Sequence, residues 1–442
     1  MTDDEFIEHL DNLSKYQHKH DNNKIHILDA MMGTGKTQGI IKWMKQNPDR
    51  RYLYVSPTLT EVEERIPTAC EEMGFISPST VDYKTKGEHL LHLLKDGANV
   101  SFSHSLFSQL TNKHLEYIDR NNYTLILDEE MDFIENYSGK YTKEDVETLE
   151  RSGHIRIDEG NLGRVEWIWS GNDFVDGSTY TGLKILCDME MLHCSKRNRD
   201  MMVLHLPISL VTVTEQTIVL TYLFDGSIMH KYMEMKGMEV IPFTEVTLMK
   251  NPETIKQDCR DLIRLCDTRT TKAIKNSNKY RLTSTWYTQN ATNEDLKTIE
   301  NGIRSACRSY DPQDVMYTLP KFLVNKKGLS GKDANKLRSK SIYIKGYSPD
   351  DCFVYCGERA TNKHQHKSVL VHAYNRYANH PVRQYLADYG FNISDDTFTL
   401  SELVQWIWRS SIRKTPPEGI KIYFLNKRME VIFNDWLSDS LG

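Results

Sequence analysis

No stretch of the 442 residues approaches 18 consecutive apolar side chains, so no transmembrane helix is expected. The opening Met-Thr-Asp-Asp-Glu-Phe is acidic and lacks the basic-then-apolar order of a secretory leader, which makes the cytoplasm the expected compartment. None of the eight cysteines stands in a C-x2-C pair. Cys187, His193 and Cys194 supply at most three local donors where a structural metal site needs four, so buried reduced thiols are expected instead. No internal repeat or low-complexity run is evident. Charge of either sign is in little excess, 56 Lys and Arg against 61 Asp and Glu, a net of −5. That excludes a surface coated in basic charge but leaves room for a local basic groove.

What the chain does have is a short apolar strand running into a phosphate-binding loop at residues 24–37. The loop reads Ala-x-x-Gly-x-Gly-Lys-Thr from Ala30 to Thr37. Gly33 and Gly35, flanking Thr34, let backbone N–H groups close around a polyphosphate because no Cβ intervenes. Lys36 can reach the β- and γ-phosphates, and the Thr37 hydroxyl can ligand Mg²⁺. Ile25, Ile27 and Leu28 make the strand, and Gln38 to Gln46 make a helix whose N-terminus faces the phosphates.

Further short apolar runs follow, each bounded by turn residues: 52–55, 99–102, 123–127 and 217–220. Helical periodicity lies between them, at 60–73 and 87–95. Short buried strands alternating with helices indicate a parallel α/β sheet, whose ligands bind beyond the carboxyl ends of the strands. The stretch 136–205 breaks this rhythm, with a hairpin-like 164–169 and a helix-like 183–193, and reads as an insertion. A polar helical segment spans 252–278. At this length two or three domains are expected, here 1–244 and 245–442.

Leu-Ile-Leu-Asp-Glu-Glu at 125–130 supplies the acidic half of an ATPase. A strand ending in Asp128 places a carboxylate where it can hold Mg²⁺ through water, and Glu129 can orient and deprotonate the attacking water. Residues 321–345 carry eight Lys or Arg against one acid among glycines, a basic loop that either is simply solvated or contacts phosphates. Trp286, Tyr317 and Trp406 are aromatics for base stacking or, with better odds, for the core.

These segments follow a family order. The loop at 30–37, Ser56-Pro57-Thr58, Ser103-His104, Asp-Glu-Glu-Met-Asp at 128–132 and Thr221-Tyr222 resemble superfamily 2 helicase motifs. Arg359-Ala-Thr361-Asn362 resembles a motif V, and Gln405, Arg409 and Arg413 resemble a motif VI. The wording is similar to DEAD/DEAH-box-like helicases of the phage- and prophage-encoded type, over roughly residues 24–130 and 205–436. Trp408 stands where the family motif has Gly, and the last arginine sits four residues beyond Arg409. If 405–413 is helical, Gln405, Arg409 and Arg413 share one face.

The resemblance implies two RecA-like parallel-sheet domains in tandem, with ATP and Mg²⁺ as cofactors. It assigns Arg409 or Arg413 as arginine finger, and Ser56, Pro57, Thr58, Ser103, His104, Arg359, Thr361 and Asn362 to the nucleic-acid path. The expected activity is an ATP-dependent helicase or translocase on single-stranded or forked DNA, DNA being favoured over RNA, with replication proteins as further partners. If phage-encoded, it would work in the bacterial host cytoplasm, in DNA replication or recombination. A nucleic-acid-stimulated ATPase switch that remodels a partner without unwinding is the alternative.

Overall fold

The computed structural model describes residues 19–137, 142–170, 180–198, 201–324, 339–357 and 363–438. These fall into two compact units. The first comprises the described residues within Met1–Ala30, Gly35–Met249 and Ala378–Ser394, and the second those within Met31–Thr34, Lys250–Tyr377 and Asp395–Gly442.

The first unit holds strands β1 (Lys24–Asp29), β2 (Arg51–Ser56), β3 (Val100–Ser103), β4 (Tyr123–Asp128), β5 (Ile134–Asn136), β6 (Ile155–Asp158), β7 (Arg164–Trp167), β8 (Leu192–Cys194), β9 (Met202–His205), β10 (Gln216–Thr221) and β11 (Glu239–Pro242). Six of them build an all-parallel sheet in the order β11-β1-β10-β4-β2-β3. Such a sheet is covered on both faces, so its strands read as nearly continuous apolar runs. Alternate residues serve opposite faces. Leu53, Val55, Leu125, Leu127 and Val219 enter one core cluster, while Tyr52, Tyr54, Ile126, Ile218 and Leu220 enter another. The pairings Asp29↔Thr221, Leu220↔Asp128 and Ser56↔Ser103 bring polar residues out along one edge, at the carboxyl ends.

The expected helix at 60–73 is continuous from Glu61 to Ala69, a π-helical Glu61–Arg65 running into the α-helical Ile66–Ala69, and a separate 3₁₀ turn, Glu71–Met73, follows. The insertion is an antiparallel sheet ordered β5-β9-β8-β7-β6, with its own core of residues such as Val146, Ile155, Val165 and Leu183. Its expected helix 183–193 is shorter, Thr181–Asp188. Glu190 takes the left-handed conformation (φ 56°), turning the chain into β8. A helix from late in the chain, His380–Asp388, also belongs to the first unit. Its Tyr385 hydroxyl donates to the Leu162 carbonyl at 2.8 Å, and Asp388, with its side chain fully enclosed, accepts from the Ser195 hydroxyl and from Arg197 N at 3.1 Å.

The second unit carries β12 (Ile263–Leu265), β13 (Val315–Thr318), β14 (Val369–His372) and β15 (Ile420–Phe424), parallel and ordered β12-β15-β14-β13. The helical expectation for 252–278 resolves into helices Pro252–Leu262 and Arg269–Lys275 with β12 between them. The chain is therefore α/β, with two parallel sheets in tandem and an antiparallel insertion in the first. Among the described residues no helix is long and apolar enough to cross a membrane.

Candidate active site

The phosphate loop leaves the end of β1. Ala30 N donates to the Thr221 carbonyl at 3.0 Å, anchoring the loop base on β10. Gly33 (φ 82°) and Gly35 (φ 88°) both adopt the left-handed conformation, which a Cβ would disfavour. Between them the buried Thr34 turns its hydroxyl inward to the Met31 carbonyl at 2.7 Å. The helix Lys36–Gln46 starts directly after Gly35 and packs Ile40, Ile41, Trp43 and Met44 into the core, which aims its N-terminal N–H groups at the loop. The Lys36 ammonium donates to the Ala30 carbonyl. Burial lowers its pKa to about 8, opposed by the charges of Asp128, Glu129 and Asp29.

Asp128 ends β4 next to this helix. Its Oδ2 accepts from the Thr37 hydroxyl at 3.5 Å and from the Tyr54 hydroxyl at 2.5 Å. Burial raises the Asp128 pKa; the Tyr54 hydrogen bond, the charges of Lys36 and Arg65, and the Thr37 hydrogen bond pull the other way. Glu129 follows in the left-handed conformation (φ 71°), its N–H donating to the Leu220 carbonyl at 3.0 Å. A non-glycine residue held there carries strain of about 1–3 kcal/mol, a feature concentrated at functional sites. Glu130 turns back to accept from the Thr221 hydroxyl. Asp29 accepts from the N–H groups of Leu223 and Phe224, both at 2.9 Å. The ends of β1, β10 and β4 are thus tied into one polar edge.

The oxygens of Thr37 and Asp128 fit a hard cation such as Mg²⁺, which takes few protein ligands and completes its shell with phosphate and water oxygens. When bound, such an ion would neutralise charge on a polyphosphate.

The expected nucleic-acid residues of the first unit are less uniform. Ser56 is 1% exposed, so its hydroxyl is not offered to solvent. Pro57 and Thr58 are partly exposed at the strand end. Ser103 caps the short helix His104–Phe107, accepting from Leu106 N at 3.3 Å, with His104 partly exposed beside it. Arg359, Thr361 and Asn362 lie outside the described residues.

The motif VI-like row requires a correction. The helix Asp395–Ile407 ends before Trp408, and Ser411–Arg413 form a separate 3₁₀ turn, so no single helix face carries Gln405, Arg409 and Arg413. The hydrogen bonds tighten to i−3 spacing at Arg409 N→Trp406 O and Ser410 N→Ile407 O, the usual way a helix closes. Arg409 is 4% exposed and donates to the carbonyls of Tyr355 and Cys356, at 3.1 and 3.3 Å. Those bonds commit it to holding this turn. Gln405 donates to Ser401 Oγ at 3.2 Å, whereas Arg413 is exposed.

Trp286, Tyr317 and Trp406 are buried and serve the core. The basic loop also loses a member, because Lys340 is buried and donates to the carbonyls of Tyr287, Thr288 and Ala291 at 2.8–3.0 Å. Lys326, Lys327, Lys332, Lys336 and Arg338 lie outside the described residues.

The SPbeta prophage-derived uncharacterized protein YonV of Bacillus subtilis (strain 168) is 30% identical over 448 residues, 94% of this chain and 99% of that protein. The chain belongs to the YonV family. Residues 257–437 match the model of the YonV C-terminal Rossmann-like domain. Among solved structures, S. tokodaii Xpd4 aligns over 98% of this chain and 96% of its own, at 14% identity and a TM-score of 0.45. S. cerevisiae Dbp5 bound to RNA and ADP BeF3 aligns over 95% and 83%, at 13% identity and 0.33.

In this YonV-family chain, sequence reasoning missed Asp29, Tyr54 and the Glu130–Thr221 pair. Asp29 ends a strand beside the loop as Asp128 does, and that position was its signal. Tyr54 gave none, since it sits within an apolar run and only the fold brings it to Asp128.

Proposed function

We propose that this protein is an ATP-dependent nucleic-acid helicase or translocase acting on single-stranded or forked DNA. The observation that carries the reading is the meeting of Lys36, Thr37 and Asp128 beside a loop with two left-handed glycines, at the carboxyl edge of a parallel sheet. A site so composed suits a nucleoside triphosphate with Mg²⁺. Lys36 gives up its bond to Ala30 for the β- and γ-phosphates, and the loop N–H groups and helix terminus take their remaining charge. Thr37 and Asp128 hold the cation. Glu129 orients the attacking water and accepts its proton. Arg413, exposed in the second unit, replaces Arg409 as the candidate arginine finger.

Pro57, Thr58, Ser103 and His104 are the strand contacts proposed for the first unit, and Arg359, Thr361 and Asn362 those of the second. Strand-end hydroxyls and N–H groups suit phosphate oxygens. Work in phage DNA replication or recombination, in the host cytoplasm and alongside replication proteins, is part of the same proposal and accords with a prophage-derived relative.

The test is ATPase stimulation by single-stranded DNA followed by strand displacement on a forked duplex. Both are expected; absence of ATP turnover with and without nucleic acid overturns the reading. One observation favours a second reading, an ATPase switch that remodels a partner: the insertion is a separate antiparallel sheet with its own core, suited to serve as a platform. Stimulation without displacement at either polarity selects that reading.

A further inference from the structure

Tyr54 and Tyr52 are near neighbours on β2, on the same face, and both are fully buried. Their hydroxyls end in different places. Tyr52 donates to the Asn47 carbonyl at 2.8 Å, an ordinary satisfaction of a buried polar group. Tyr54 donates to the carboxylate of Asp128 at 2.5 Å, on the oxygen that Thr37 also approaches. A phenylalanine would fill the same space with no hydroxyl to satisfy, so packing alone gives no reason for the phenol. A hydrogen bond to an ionised acceptor is shorter and stronger than a neutral one and directional as well.

We propose that Tyr54 is a positioning residue for the cation. It pins one oxygen of Asp128 and so fixes the rotation of the carboxylate relative to Thr37. This rests on the reading of Thr37 and Asp128 as the Mg²⁺ site.

The variant is Tyr54→Phe, read by calorimetric ADP binding with and without Mg²⁺ and by the Mg²⁺ dependence of ATP turnover. ADP affinity without Mg²⁺ is expected to match wild type, while the gain from adding Mg²⁺ shrinks. The KM for Mg²⁺ should rise roughly tenfold, more than kcat changes, as for loss of a hydrogen bond to a charged group. A double-mutant cycle with Asp128→Asn controls for any loss of folding stability: the effects on Mg²⁺-linked ADP binding should fall short of additive. Additive effects, or a Tyr54→Phe protein with the wild-type Mg²⁺ response, overturn the proposal. A wild-type protein that binds no ADP would instead overturn the reading of the site.

Discussion

The two parallel sheets end differently, although both are built from short buried strands. In the first, the carboxyl edge finishes in Asp29, Asp128, Glu129 and Glu130, all at least partly exposed, with Thr221 and two serines beside them. In the second, β13, β14 and β15 finish in Thr318, His372 and Phe424, each no more than 1% exposed. Thr318 and His372 both reach the Cys356 thiol, at 3.3 and 3.5 Å, and the His372 ring stands edge-on to Trp406 at 5.2 Å. A parallel sheet offers its carboxyl edge as a place to bind. Whether it becomes a site depends on what caps it: a glycine loop and carboxylates in one case, packed aromatic and aliphatic side chains in the other.

The largest effect that would sharpen this contrast is expected from Lys36→Ala. ATP turnover should fall about 10³-fold, in the range for loss of a key electrostatic contact at a reacting phosphate. With its pKa lowered to about 8, Lys36 is charged below that pH and neutral above. Nucleotide affinity should therefore weaken as pH rises through about 8, a dependence Lys36→Ala should lack in binding titrations. Glu129→Gln should cut turnover about 10²-fold while ATP still binds, as for removal of a general base; near-normal turnover would remove Glu129 from the role. Thr221→Val, which removes the hydroxyl that donates to Glu130, should slow single-turnover hydrolysis about tenfold, the size of one hydrogen bond to a charged group. No change in that rate would make the Thr221 bond purely structural.

The smallest effect belongs to the second sheet. His372→Phe should leave ATP turnover as it is, and a lost turnover would break the contrast. Its consequence should show in stability against pH. Burial lowers the His372 pKa from 6.5 to about 3, so between those values the unfolded chain takes up a proton that the native state refuses. Stability is then lost as pH falls below 6.5, by about 1.4 kcal/mol per unit. Denaturant unfolding at pH 7.5 and 5.5 should show that loss in wild type and less of it in His372→Phe.

Much of the first sheet was legible in the sequence. The apolar runs at 52–55, 123–127 and 217–220 fall within observed strands, because a strand buried on both faces leaves an uninterrupted signal. The helix expected at 183–193 is shorter in the structure, and 405–413 does not form one helix. Amphipathic spacing does not report where a left-handed residue such as Glu190, or a 3₁₀ closure such as that at Arg409, ends the helix. Arg409 itself is chemically ambiguous in sequence, since the same guanidinium serves a phosphate or a pair of backbone carbonyls. Contacts such as Tyr54–Asp128 and Lys340 with its three carbonyls join residues 74 and 49–53 apart and leave no local trace.

The helix His380–Asp388 carries a consequence for how the protein is made. Val382, Tyr385 and Leu386, with the partly buried Tyr389, Phe391 and Ile393 just after the helix, complete a hydrophobic core of the first unit whose other members all precede residue 250. That core cannot close while the chain is emerging in order. The ribosome must synthesise most of the second unit first, so an unfinished first unit waits with apolar surface uncovered and with need of protection during translation. Any shortened version cut near residue 250 would keep that surface permanently, and insolubility in such a fragment would say nothing against the fold of the full-length chain.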